Sequence, residues 1–154
     1  MSAFATPDST DPADELNGTG ARVRLVACRV EHARGAISRA IVEFEGRVEG
    51  ERIEGRKEGS TCPGGDLRLA SLATMDAIQQ ATSSALRLEL IGVKPIRAFD
   101  TNIVVVAAIA HHGGKATRVV GSAIADEDPL IGTARATLHA VNRLAAPLLT
   151  RITA

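Results

Sequence analysis

Tryptophan and tyrosine are absent from this 154-residue chain, and its only phenylalanines are Phe4, Phe44 and Phe99. Without aromatic faces there is no platform on which bases of a single-stranded nucleic acid can stack. There is no wall for a sugar or a methylated cation either, and a tyrosine acid or radical is excluded. Only Cys28 and Cys62 are present, too few for a structural zinc site without histidine help. Net charge is also lacking, with 18 basic against 18 acidic side chains, which argues against a general polyanion binder. Neither a signal peptide nor an apolar run of about 18 residues occurs, so no membrane partner is expected and the default is a cytoplasmic protein with reduced thiols.

What is present is aliphatic. Apolar residues make up 45% of the chain, chiefly Val, Ile, Leu and Ala. Residues 1–20 are acidic and rich in Ser, Thr, Asp, Pro and Gly, and are expected to be a disordered leader. Residues 21–154 are expected to form one domain, mildly basic, made of two repeats, 21–86 and 87–154. Segments 22–30, 36–46, 51–59 and 69–80 resemble 87–95, 102–112, 116–124 and 132–143, at offsets of about 63 to 66 residues.

Each unit reads strand, strand, strand, helix. Val23, Leu25 and Ala27 alternate with Arg22 and Arg24, the period of a sheet with one solvated face. Ala36, Ala40, Val42 and Phe44 share a face opposite Arg39, Glu43 and Glu45. The charged third segment, 51–58, suits a solvated edge strand. The run 103–110, IVVVAAIA, has no polar face, so helices cover one side and the other asks for a further cover such as a second subunit. Each unit is expected to hold one phenylalanine in an otherwise aliphatic core, Phe44 in the first and Phe99 in the second. The first helix is predicted to begin near Asp66. The second begins at Asp128-Pro129, where Asp caps the free amides and Pro loses no hydrogen bond. Ile131, Ala134, Leu138, Val141 and Ala145 form its apolar stripe. The expected fold is α+β: two tandem βββα repeats, antiparallel sheets packed with two helices.

Candidate chemistry is sparse. His111 and His112 are adjacent on a strand and point to opposite faces, a poor chelate. Cys62 lies in the loop GSTCPGG, which lacks the Lys-Ser/Thr of a phosphate loop. No carboxylate pair and no Ser/His/Asp or Cys/His set stands out, so no catalytic residue, metal or cofactor is expected.

The run from Asp128 to Asn142, DPLIGTARATLHAVN, resembles the last helix of the regulatory domain of 2-isopropylmalate and citramalate synthases. Asp128, Gly132-Thr133, Arg135, Ala136, Leu138, Ala140 and Asn142 carry the match without a gap. The resemblance implies a duplicated βββα module that binds an amino acid or other small carboxylate without catalysis. Gly121, Ser122, Asp128 and Thr133 would be its ligand-binding residues. Residues 121–127 stand where the family has a Gly-x-Gly stretch, and 60–66, STCPGGD, replace its Gly-x-Gly-Pro-type entry to the first helix. The implied ligand would sit between the repeats or at a homo-oligomer interface, lined by loops 59–66 and 121–128. The alternative is a structural, oligomerising module with no ligand.

Overall fold

The computed structural model describes residues 24–46 and 51–149. The expected leader and the start of the first strand lie outside these residues. The elements run β1 (Arg24–Ala33), β2 (Ile37–Glu45), β3 (Arg52–Ser60), α1 (Gly65–Ala81), β4 (Arg87–Ala98), β5 (Thr101–His112), β6 (Lys115–Ile124) and α2 (Pro129–Ala145). They form two antiparallel three-stranded sheets, β1-β2-β3 and β4-β5-β6, each followed by a helix. This is the α+β arrangement of two βββα repeats.

Hairpin turns set the meander. Gly113 and Gly114 both have positive φ and close the β5–β6 hairpin. The β4–β5 turn uses the same backbone region with Phe99 and Asp100, at φ 53° and 58°. Phe99 is 96% exposed, so the second repeat places no phenylalanine in the core, contrary to expectation. The two-residue turn puts it at the hairpin tip, beyond the last paired residues, Ala98 and Thr101.

The two repeats match in detail. β1 has a register shift between Leu25 and Ala27, and β4 has one between Leu90 and Gly92. The extra residues, Val26 and Ile91, are both exposed. The first shift carries Cys28 and Val30, rather than Ala27, onto the inner face. A Cβ on Gly55 would lie 2.0 Å from the Ala73 carbonyl oxygen, and one on Gly121 would lie 2.3 Å from that of Ala136. Both glycines let a helix press directly on an edge strand. Asp76 Oδ2 accepts from Arg56 N at 3.0 Å, and at the matching place His139 Nδ1 lies 3.1 Å from Ser122 N. These contacts align Gly55 with Gly121, one residue away from the sequence pairing of 51–59 with 116–124. They also align Val42 with Val106, their partners in the ladders, a shift of two residues from the sequence pairing of that strand.

Each helix lies mainly on its own sheet and also reaches the first strand of the other repeat. Gln79 Oε1 of α1 accepts from Leu88 N of β4 at 2.7 Å. The helices meet through small residues, with Ser71 Oγ 2.9 Å from Thr137 Oγ1. A single buried cluster draws Cys28, Val42 and Phe44 together with Ala110, Leu138 and Leu148, so the repeats share a core.

Candidate functional site

Asp128 precedes α2 in extended conformation and its Oδ1 accepts from Leu130 N at 2.9 Å and Ile131 N at 3.3 Å. Capping therefore accounts for its position. A surface hollow of about 370 Å³ beside it is bordered by Ile124, Asp126, Glu127 and Arg135. The other residues assigned by resemblance do not join it. Gly121 is buried under α2, within the span where any side chain would strike the helix backbone. Thr133 is fully buried and its hydroxyl donates to Pro129 O at 2.7 Å. Ser122 is exposed, but its backbone N and O both lie 3.1 Å from His139 Nδ1.

A larger cleft, about 580 Å³, opens where the repeats meet at the entries to both helices. Leu67 from the first turn of α1 and Pro129 from the start of α2 form its two sides. Pro95 and Val104 add an aliphatic wall from the ends of β4 and β5, and Ile96 and Ile103 border the rim. Arg97, Asn102 and Asp126 supply its polar groups. Strand pairing brings these three together: Arg97 is opposite Asn102, and Ala125 N donates to Asn102 O at 2.8 Å, drawing Asp126 alongside. Asp126 accepts from the Thr101 hydroxyl, and from Asn102 N at 2.6 Å. The Thr101 hydrogen bond foremost, then that of Asn102, holds its carboxyl below the usual aspartate range, with Arg97 adding attraction. At neutral pH the cleft thus presents an anchored carboxylate and a cation whose Nη1 is 3.5 Å from Asn102 Oδ1.

Sequence reasoning found the loop 121–128 but not Arg97, Asn102 or Asp126. The one available signal was the polar turn between two apolar strands, RAFDTN (97–102).

The structure also assembles a line of side chains that spacing did not suggest. Asp66 Oδ2 is 3.3 Å from His32 Nε2, and His32 Nδ1 is 2.9 Å from Ser38 Oγ. The order resembles a hydrolytic triad, but Ser38 is 0% exposed and its hydroxyl also contacts Thr61 Oγ1 at 2.7 Å. A nucleophile there has no path to a substrate. The line instead ties the β1–β2 hairpin to the entry of α1.

The remaining candidates separate likewise. His111 Nε2 faces Glu89 at 3.3 Å, whereas His112 Nδ1 lies 3.1 Å from Ala85 O on the other side of the strand. Among the described residues no group of three or more His, Cys, Asp or Glu could hold a metal ion. Burial, with the charge of Asp128 nearby, pushes the Cys28 thiol up to about 12, and Cys62 is exposed. Asn142 Oδ1 is buried with no hydrogen-bond partner among the described residues. It matches Gln79, whose partner is Leu88 N, and the first-repeat position corresponding to Leu88 is Val23, outside those residues. No described helix is long and apolar enough to cross a membrane.

No family model matches the chain, and no curated protein matches it.

Proposed function

We propose that this protein is a non-catalytic regulatory module that binds a small aliphatic carboxylate, such as an amino acid or keto acid, in the cleft between its repeats. The observation that carries the reading is the placing of Arg97 and anchored Asp126 beside the aliphatic wall of Leu67, Pro95 and Val104. Arg97 would take the ligand carboxylate, Asp126 an amino group where one is present, and the wall a short branched chain. The lack of aromatics suits a small, aliphatic guest. The resemblance of α2 to the regulatory domain of 2-isopropylmalate synthase supports the same ligand class. Because Asp128 is occupied as a cap, the acidic contact that the resemblance implies at Asp128 is assigned to Asp126.

A thermal-shift panel of branched and straight-chain amino acids and 2-keto acids tests this. A ligand at about 100 times its dissociation constant adds about 2.7 kcal/mol of stability. The expected result is a shift with an aliphatic member that disappears in Arg97→Ala, a change at an exposed position that leaves the unliganded stability within about 0.5 kcal/mol of the parent. No shift across the panel, or a shift retained in Arg97→Ala, overturns the assignment.

A further inference from the structure

The two sheets are equivalent in fold and opposite in the character of their outer faces. On the first sheet that face is a ladder of charges. Arg24 pairs with Glu45, Arg39 with Glu58, and Glu43 lies between Arg29 and Arg52 at 3.5 and 3.7 Å. Ile41, in register with Arg29 and Arg56, is buried among them. On the second sheet five positions of this face are apolar, while Glu89, Lys94 and Arg118 keep a charge at the places of Arg24, Arg29 and Arg52. Arg39, Glu43 and Glu45 of β2 become Ile103, Ala107 and Ile109 of β5, and Glu54 and Glu58 of β3 become Val120 and Ile124 of β6. Val120 is 59% and Ile124 62% exposed.

We propose that this face is the interface of a homodimer, with a second copy of the chain packed on it about a two-fold axis running along β5. The inference does not depend on the cleft being occupied. The rows across the face, read from the strand register, are Ile96–Ile103–Ile124, Lys94–Val105–Ser122, Gly92–Ala107–Val120, Glu89–Ile109–Arg118 and, at the β5–β6 hairpin end, Arg87–His111–Ala116. An axis along β5 lays β5 on β5 and β4 on the β6 of the other copy, row by row. Ile96 then meets Ile124, and Lys94 meets Ser122. Gly92, where a Cβ would find open space, receives Val120. Glu89 meets Arg118, and the same pair forms a second time across the axis. Among the described residues Arg118 has no ion pair, and the one ion-pair partner of Glu89 is His111, at 3.3 Å. The other face-to-face arrangement, with the axis across the strands, lays β4 on β4. Centred between the inner rows it sets Glu89 and Arg118 against isoleucines; centred on the Gly92 row it pairs Glu89 with Lys94 but sets Ile96 against Arg87 and Arg118 against Ser122. Only the axis along β5 satisfies the ion pairs and the isoleucine contacts together. Aligned packing of sheets about 10 Å apart is the common geometry for such faces. A face of three strands and about ten residues buries on the order of 1,000 Å² over both copies, the lower bound for a specific interface.

The test is the mass of the full chain in solution, by light scattering across a dilution series, together with reciprocal charge reversals. The parent is expected as a dimer. Glu89→Arg alone and Arg118→Glu alone each place like charges opposite one another twice, and each should weaken the dimer on the order of tenfold or more. Mixed in equal amounts, the two variants should form a heterodimer, because both cross-axis pairs are then restored. Val120→Lys, at an exposed site, should give a monomer and serves if either reversal fails to fold. A monomeric parent at every concentration overturns the proposal, as does a dimer indifferent to Val120→Lys. Charge variants that weaken the dimer without recovering on mixing overturn the axis along β5.

Discussion

Gly55 and Gly121 are the residues on which the packing of each repeat depends most directly. The Cβ of an alanine at Gly121 would lie 2.3 Å from both the Ala136 carbonyl oxygen and the Ala140 amide nitrogen, helix backbone that cannot rotate aside. At Gly55 the corresponding distances are 2.0 Å to Ala73 O and 2.7 Å to Ala77 N. Gly121→Ala should therefore push α2 off β6 and cost about 2–3 kcal/mol or more, read as a fall in the urea midpoint. Gly55→Ala should do the same to α1. A loss below about 1 kcal/mol for Gly121→Ala would mean that the helix shifts freely over the strand. Neither glycine could be recognised as a contact from its sequence neighbours, because the atoms it meets lie on the following helix. A glycine inside a strand pattern signals a close approach without saying to what.

Among the elements, the strands and helices were the most readable. Their signals are local: alternation in β2, mixed charge on edge strand β3, and the Asp128-Pro129 start of α2. The bulges at Val26 and Ile91 were not readable, since one extra residue in a strand leaves alternation intact on both sides of the break. The β4–β5 hairpin shows the same limit. Its tip sets Phe99 at φ 53°, a region that costs a bulky residue about 1–2 kcal/mol and that Asn tolerates. Phe99→Asn should raise the thermal midpoint, by up to about 1 kcal/mol of stability. A lower midpoint would show that the Phe99 ring makes a stabilising contact. The cleft escaped sequence reading for a related reason. Arg97 and Asp126 are brought together by the β4–β5 turn and the hydrogen bond from Ala125 N to Asn102 O, neither of which is a spacing pattern.

At the scale of the molecule, one core spans both repeats, and Cys28 reports on it. It is buried among residues of both units, with its thiol pushed up to about 12 by burial and then by Asp128. Iodoacetamide should modify Cys62 promptly and Cys28 only through opening of the core. The linkage follows from a folded-state value raised above the ordinary 9.0. The contribution of Cys28 is fully present below pH 9 and is lost as pH rises from 9 toward 12. Denaturation midpoints should accordingly decline over that window, and Cys28→Ala should flatten part of the decline. Equal labelling rates for the two thiols in native buffer would show that the shared core opens readily.

The reciprocal reach of the helices has a consequence for how the molecule can vary. Because α1 touches β4 and α2 touches β1, the repeats embrace each other as two subunits would. Two identical half-length chains making the same embrace would have to carry identical exteriors. Any substitution suiting one outward surface would appear on both. Joining the halves in one polypeptide removes that constraint, so one exterior can be laced with ion pairs while the other is largely aliphatic. The covalent link is thus what permits a symmetric interior to have an asymmetric outside.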